Sequence, residues 1–307
     1  MKIAIIDLGT NTFHLLIADI DGEEAKVIYK TNQPVRLGED ITKDNLIIPA
    51  AFARGIACLQ EFKKTIDQYE VETVKAVATS GVRSASNGQD FITSAKEQAR
   101  IVIDIIDGEQ EANYIYEGVK WSGAITQSAL IMDIGGGSTE FILCDPNGLV
   151  WKKSYDIGAA RLMQKFFNSD PIQAHDQALI FDHLDNELIE LIDICKIHQP
   201  KILIGSAGAF ESFAGMIDAD LAIKSIRKAI INYEAYVALA SALIKANHEE
   251  RAKMKGLIPL RVDMIVMAAL LTNYILGQLG IREIVLSTYD LKMGVLSVAR
   301  RTNCMQR

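Results

Sequence analysis

Apolar and polar positions along this chain alternate in short blocks, and one block occurs twice. The first copy runs from Ile3 to Ile17 (IAIIDLGTNTFHLLI) and the second from Leu130 to Leu143 (LIMDIGGGSTEFIL). Aligned on Asp7 and Asp133, both read apolar, Asp, apolar, Gly, then small or polar residues, then a second apolar run. That is the pattern of a strand, a tight turn and a returning strand, a β-hairpin. Two related hairpins, each opening one half of the chain, predict a duplicated, two-lobed protein with a phosphate-bearing ligand between the lobes.

The pattern elsewhere predicts strands alternating with helices. In the first half it gives strands at Ala25–Tyr29, Thr73–Ala78 and Ile101–Ile106. Helices are predicted over Ala50–Tyr69, Asp90–Ala99 and Gly108–Trp121. The second half repeats the theme, with strands at Val150–Tyr155, Lys201–Ile204 and Glu283–Leu286. Its helices are predicted at Ala159–Phe167, Gln173–His198, Ala207–Met216, Tyr233–Ala246, Arg261–Leu279 and Leu291–Arg301. Such alternation predicts an α/β fold with mixed sheets. Ser122, Gly123 and Thr126 interrupt the helical pattern, so the boundary between lobes is expected there, giving 1–121 and 122–307.

Composition narrows the class. At 307 residues the chain suffices for two domains. A net charge of −7 disfavours nucleic acid as a partner. Cys58, Cys144, Cys195 and Cys304 have no paired spacing and read as reduced cysteines rather than a disulfide frame or zinc site. The chain opens directly in a strand, without a signal-peptide pattern, so a cytoplasmic protein is expected. The apolar stretch Met264–Leu279 is broken by Thr272, Asn273, Gly277 and Gln278, which favours a buried helix over a membrane span.

Candidate chemistry concentrates in the two turns. Gly9 permits positive φ and close approach of backbone to ligand, and successive amides there form an anion-binding nest. Thr10, Asn11 and Thr12 add side-chain donors, while Asp7 repels phosphate and suits a magnesium-water role. The same residues also describe an ordinary hairpin turn with Asp7 ending a strand. Gly135, Gly136 and Gly137 in an otherwise apolar strand pattern weaken the fold locally and are explained by a ligand against the backbone, next to Ser138. Glu140 takes the position that His14 holds in the first copy, where it orients a water, holds a metal or is merely a solvated strand residue.

Outside the turns, Glu111 opens a helix, where an acidic residue is favoured by the dipole alone. Arg83 follows a strand among small residues, which suits bidentate phosphate contact or a surface salt bridge. Arg161 is a second arginine of this kind, whereas Arg261 and Asp263 read as surface charges at a helix start. His175, His183 and His198 are dispersed, and His175-Asp176 reads as a solvated helix face.

These residues carry a resemblance. The paired loops look like the two phosphate loops of the actin, sugar-kinase and heat-shock chaperone superfamily. Within it, the chain resembles the exopolyphosphatase/guanosine pentaphosphate phosphatase family through IDLGTNTFHLLI, ATSGVRSASN, DGEQEANYIYEGV, MDIGGGSTEF and GSAGAFES. The resemblance covers nearly the whole chain. It departs at Ala209-Phe210, which replace a small hydroxylic residue. It departs again at Asp290-Leu291-Lys292-Met293-Gly294, where the family has Gly-x-Arg-Glu-Gly, so Lys292 is read as outside the core site.

The resemblance implies two actin-like (ribonuclease H-like) lobes with mixed five-stranded sheets, a central cleft and a C-terminal helix that packs back on the first lobe. It implies an exopolyphosphatase that removes the terminal phosphate of inorganic polyphosphate by magnesium-assisted water attack. Glu111 is then the catalytic base and Glu140 a second catalytic carboxylate. Gly9, Thr10, Asn11, Thr12, Arg83, Gly135, Gly136, Gly137 and Ser138 bind phosphate, and Asp7, Asp133 and Glu140 hold Mg2+. Guanosine pentaphosphate, a stringent-response nucleotide, is the alternative substrate. A sugar kinase and a non-catalytic polyphosphate or nucleotide sensor are the rival functions. No nucleic acid or membrane partner is expected, and a homodimer is compatible with the family.

Overall fold

The computed structural model describes residues 1–22, 24–39 and 45–305. The first half begins with β1 (Lys2–Leu8), β2 (Thr12–Asp21) and β3 (Glu24–Pro34), followed by helix α1 (Pro49–Gln68) and β4 (Thr73–Ala78). A single turn, α2 (Ser80–Arg83), and α3 (Gly88–Ala99) lead to β5 (Ile103–Ile105) and α4 (Gly108–Ser122). The second half begins with β6 (Ala129–Ile134), β7 (Thr139–Asp145) and β8 (Gly148–Tyr155). Helices α5 (Ala159–Phe166), α6 (Ala174–Glu187) and α7 (Ile189–His198) precede β9 (Ile202–Ser206) and α8 (Ala207–Ile217). The chain ends through β10 (Lys228–Ile231), α9 (Tyr233–Lys245), α10 (His248–Ala252), α11 (Met264–Leu279), β11 (Glu283–Ser287) and α12 (Leu291–Met305).

The strands form two mixed sheets. One has the order β3-β2-β1-β4-β5, and the other β8-β7-β6-β9-β11-β10. In each, the hairpin strands are antiparallel and the strands beyond the first hairpin strand run parallel to it: β1 with β4 and β4 with β5, β6 with β9 and β9 with β11. The expected five strands are therefore present in both, and the second sheet carries a sixth. That strand, β10, is four residues long and pairs antiparallel with β11 at the edge, with Ile230 86% exposed. So short and half-solvated a strand leaves no period-2 signal in the sequence.

β6 is buried at all six positions and the apolar residues of β1 are buried, as strands covered on both faces require. Each sheet anchors its own core. Ile6, Leu8, Phe13, Leu59, Phe62 and Phe91 belong to the first, and Met132, Phe141, Leu203, Phe213, Tyr236 and Leu270 to the second. Helix α11 lies in the second core with eleven buried residues, which confirms the buried-helix reading of Met264–Leu279. Among the described residues no helix is long and apolar enough to cross a membrane. Cys58, Cys144 and Cys195 are buried free thiols whose pKa values burial pushes up to about 12, which leaves them unreactive; Cys304 lies outside the described side chains.

Two predicted helices differ in form. The single helix expected over Gln173–His198 is broken at Leu188, which has φ −102° and ψ 15° and is completely buried. The bend lets Ile180 and Leu184 before it, and Leu191 and Cys195 after it, all face the same core. The helix expected from Arg261 begins instead at Met264, after a 3-10 turn over Pro259–Arg261.

The chain divides into two compact units: Met1–Gly118 together with α12, and Val119–Asp290. In the first, α12 lies against α4. An ideal Cβ on Gly294 would stand 1.7 Å from the carbonyl oxygen of Tyr114. Further along, Arg301 donates to Glu117 Oε2 at 2.7 Å. Because the neighbour at Gly294 is backbone, it cannot swing aside. Gly294→Ala is expected to cost about 1–3 kcal/mol, the usual range for overpacking, read as a lower melting temperature with the helical circular-dichroism signal retained.

Candidate active site

The two hairpins are equivalent in detail. Asp7 stands opposite His14 across β1 and β2, and Asp133 opposite Glu140 across β6 and β7. The Gly9 amide donates to the Thr12 carbonyl at 3.2 Å, and the Gly135 amide to the Ser138 carbonyl at 3.0 Å. Register shifts fall at equivalent places, between Ile17 and Ala18 and between Leu143 and Cys144. A Cβ on Gly9 or on Gly135 would lie 2.9 Å from the carbonyl oxygen three residues on. Neither glycine has positive φ, so close approach and not left-handed backbone explains both.

What surrounds each turn fixes the direction of its peptide groups. The carbonyls of Gly135, Gly136 and Gly137 accept from amides at the start of α5: Ala159 to Gly135 at 2.9 Å, Ala160 and Arg161 to Gly136 at 3.0 and 3.1 Å, and Gly158 to Gly137 at 3.3 Å. The Arg161 Nε also donates to the Gly137 carbonyl, at 3.0 Å. In a planar trans peptide the N–H points opposite to the C=O. The amides of Gly136, Gly137 and Ser138 therefore all point away from α5, side by side. The first turn follows the same logic. The Thr10 carbonyl accepts from the Gly38 amide at 2.8 Å, and the Asn11 carbonyl from the Val35 and Arg36 amides at 3.0 and 2.8 Å. The amides of Asn11 and Thr12 are turned to the opposite side. Consecutive amides of this kind make an anion-binding concavity.

In the first unit, Asp7, Arg83 and Glu111 all lie at or just beyond the carboxyl ends of the parallel strands β1, β4 and β5, the edge where open α/β sheets bind ligands. Asp107 caps α4, its Oδ1 accepting from the Gln110 amide at 2.7 Å, and Glu111 follows in the first turn. Glu111 is not the solvated charge that a helix start alone would place there: its side chain is 8% exposed. Arg83 Nη1 donates to Glu111 Oε2 at 2.8 Å and to the Ile106 carbonyl at 2.9 Å. Arg83 is thus neither a surface salt bridge nor an isolated cation. Burial pushes the Glu111 carboxyl up to about 7, against the hydrogen bond and charge of Arg83, which lower it; the charge of Asp7 raises it further. Lys292, read from the sequence as outside the site, is buried with its Nζ 3.7 Å from Asp7 Oδ2.

In the second unit, Asp133 and Glu140 are both buried, and as cross-strand partners they share one face of the sheet. Ser206 Oγ donates to Asp133 Oδ2 at 3.0 Å, and Ser154 Oγ to Glu140 Oε1 at 2.7 Å. Glu140 is therefore a held carboxylate and not a solvated strand residue. Ser154 gave no motif signal, and Ser206 lay within GSAGAFES without its role being read. They become visible only once register is known, since each sits opposite its carboxylate on the neighbouring strand. Among the described residues no group of three or more His, Cys, Asp or Glu is arranged to hold a metal. Two oriented carboxylates suit magnesium nonetheless, because that ion is usually bound by one or two carboxylates with phosphates and water completing its shell.

Other polar residues have structural work. Arg261, expected at the surface, donates to the Gly208 carbonyl and to Ser212 Oγ. Asp263 accepts from Arg251 Nη2 at 3.0 Å and stands 2.7 Å from His248 Nδ1. Arg251 is completely buried, is also paired with Asp170 at 2.9 Å, and had no sequence signal. Asp176 is buried as well, accepting from Asn168 and Ser169 at 3.3 and 2.6 Å, while its neighbour His175 is exposed.

A duplicated α/β unit, with a turn of aligned amides after the first strand of each sheet, defines an actin-like fold. The family model for the Ppx/GppA phosphatases matches residues 16–300, and the chain belongs to that family. A crystal structure of an exopolyphosphatase from Cytophaga hutchinsonii superposes with a TM-score of 0.95 at 34% identity, over 98% of both chains. A bifunctional 3-dehydroquinate synthase/phosphatase of Fusobacterium nucleatum is 30% identical over 305 residues, which cover 95% of this chain and 46% of the relative. A guanosine-5'-triphosphate,3'-diphosphate pyrophosphatase of Pseudoalteromonas translucida is 29% identical over 244 residues, covering 77% of this chain and 49% of the relative. The chain spans about half the length of these two relatives.

The second turn depends on Gly158, where a Cβ would lie 2.5 Å from backbone atoms of Gly136 and Gly137. Gly158→Ala is expected to lower stability by about 1–3 kcal/mol. Gly277→Ala, at a helix position where a Cβ meets nothing within 4 Å, is expected to raise it by up to about 1 kcal/mol. Urea unfolding of the two variants beside the wild type checks both signs.

Proposed function

We propose that the chain is a phosphoric anhydride hydrolase that releases orthophosphate from the end of inorganic polyphosphate. The observation that carries this reading is Glu111: a buried carboxylate, hydrogen-bonded to Arg83, at the same sheet edge as Asp7 and the amides of Asn11 and Thr12. A base of this kind removes a proton from water as the water oxygen attacks the terminal phosphorus. The bridging P–O bond breaks, its electrons stay with the shortened chain, and the proton rests on Glu111. Arg83 keeps the carboxylate oriented and offsets charge on the transferred group. In the first unit the amides of Asn11 and Thr12 donate to phosphate oxygens, and being fixed beforehand they need little reorganisation as charge shifts; the amides of Gly136, Gly137 and Ser138 give the second unit an anion-binding turn of the same kind. Asp133 and Glu140 would hold Mg2+ with the substrate's own phosphates, supplying charge neutralisation. The Cytophaga exopolyphosphatase supports polyphosphate as the substrate class. The name of the Pseudoalteromonas relative supports guanosine pentaphosphate as a second substrate, cleaved at the same terminal phosphate. Membership in a phosphatase family weighs against a sugar kinase.

The test is orthophosphate release, with magnesium, from polyphosphates of several lengths and from guanosine pentaphosphate. Glu111→Gln is expected to lose about 10²–10⁴-fold in kcat. A wild type that binds these compounds without turnover would leave the sensor as the function. Because the base must be ionised, log kcat/KM of the wild type is expected to rise with pH and level off above about 7, with that limb missing in Glu111→Gln. Stability carries the same signature. The folded carboxyl lies above its ordinary 4.5, so its favourable contribution is complete below pH 4.5 and is lost as pH rises through about 7. The melting temperature of Glu111→Gln, relative to wild type, is therefore expected to climb across that window.

A further inference from the structure

Lys292 is a buried cation that the mechanism above does not use. Two features of its place oppose an ammonium group. It is 5% exposed, and it is the second residue of α12, where the helix dipole is positive. Its position is nevertheless fixed. Gly294, two residues on, is packed against the Tyr114 carbonyl of α4, and Arg301 is paired with Glu117 of the same helix. Glu111, Tyr114 and Glu117 follow one another at three-residue spacing, so α12 lies along the stripe of α4 that begins at the candidate base. That docking sets the Lys292 Nζ 3.7 Å from Asp7 Oδ2, just before the first turn.

We propose that Lys292 is a positioning residue for the first phosphate turn, holding the Asp7 carboxylate and balancing its charge so that the turn accepts a polyanion. The inference rests on the phosphate-binding reading of that turn. Lys292 sets a positive charge beside Asp7, as Arg83 does beside Glu111. Without it, Asp7 loses that positive charge beside the amides of Asn11 and Thr12, and a phosphate oxygen brought there is repelled more strongly.

The test uses the whole protein and inorganic tripolyphosphate as the probe, with binding measured by calorimetry and turnover by orthophosphate release. Lys292→Met, similar in length and uncharged, is expected to weaken binding and raise KM about tenfold, the scale of one charge acting at short range in a partly screened site, with kcat changed less. Lys292→Arg keeps the charge and is expected to restore binding. Asp7→Asn added to Lys292→Met removes the carboxylate charge that Lys292 faces and is expected to recover part of the affinity, which a merely structural lysine would not allow. Unchanged affinity in Lys292→Met, or losses in the double variant that simply add, would overturn the proposal while leaving the phosphate-site reading intact. A folded wild type that does not bind tripolyphosphate at all would overturn both.

Discussion

The peptide plane is the constraint on which this molecule depends. An amide can be aimed at a ligand only if the carbonyl behind it is occupied elsewhere, and in both turns it is. The start of α5 takes the carbonyls of Gly135, Gly136 and Gly137, and the segment from Val35 to Gly38 takes those of Thr10 and Asn11. The amides on the other side are left directed and clustered. This also explains glycines that ligand contact does not. Gly158 is required because α5 must come within touching distance of the second turn, and Gly38 and Gly81 because the first turn is packed against them through Thr10. Binding capacity in such a site is a product of packing behind it.

The first unit adds a charge arrangement that is costly by itself. A carboxylate as buried as Glu111 loses hydration, and a neighbouring Asp7 makes ionisation harder still. Arg83 opposes both effects but does not cancel them. The group therefore sits near neutrality, where one carboxyl can both hold and release a proton, instead of at the low value of an exposed glutamate. The second unit arranges its carboxylates otherwise. Asp133 and Glu140 each accept from a serine hydroxyl on an adjacent strand, which orients the oxygens without supplying a counter-charge.

Much of this was legible in the sequence, and the boundary between what was and was not is physical. The hairpins, the central strands and α11 follow from local spacing, because a strand or helix covered by the core has an apolar pattern that no distant residue needs to complete. The doubled Asp–x–Gly pattern marked both turns for the same reason. The pairings of Lys292, Arg251, Ser154 and Ser206 were not legible, since each is made with a partner on another element: Asp7, Asp263, Glu140 and Asp133. The bend at Leu188 belongs with them. The residue is an ordinary helix former whose departure from helical geometry is set by two stretches of helix sharing one core. Arg83 was visible as a candidate arginine, but its pairing with Glu111 required the fold of β5 and α4 to bring the two together.

The duplication shows how one scaffold carries two sets of side chains. Register, turn hydrogen bond and strand irregularity are kept in both copies, so the backbone device is the shared part. The side chains have diverged around it. Opposite the aspartate stands His14 in one copy and Glu140 in the other, and the turn residues are Thr-Asn-Thr in one and Gly-Gly-Ser in the other. The glycine turn offers bare backbone beside two oriented carboxylates, a set suited to a phosphate together with a hard cation. The threonine-asparagine turn offers extra hydroxyl and amide donors, with a lysine against its aspartate and a carboxylate–arginine pair at the same sheet edge. The second turn thus sets hydroxyl-held carboxylates beside bare backbone, whereas the first sets carboxylates beside cations.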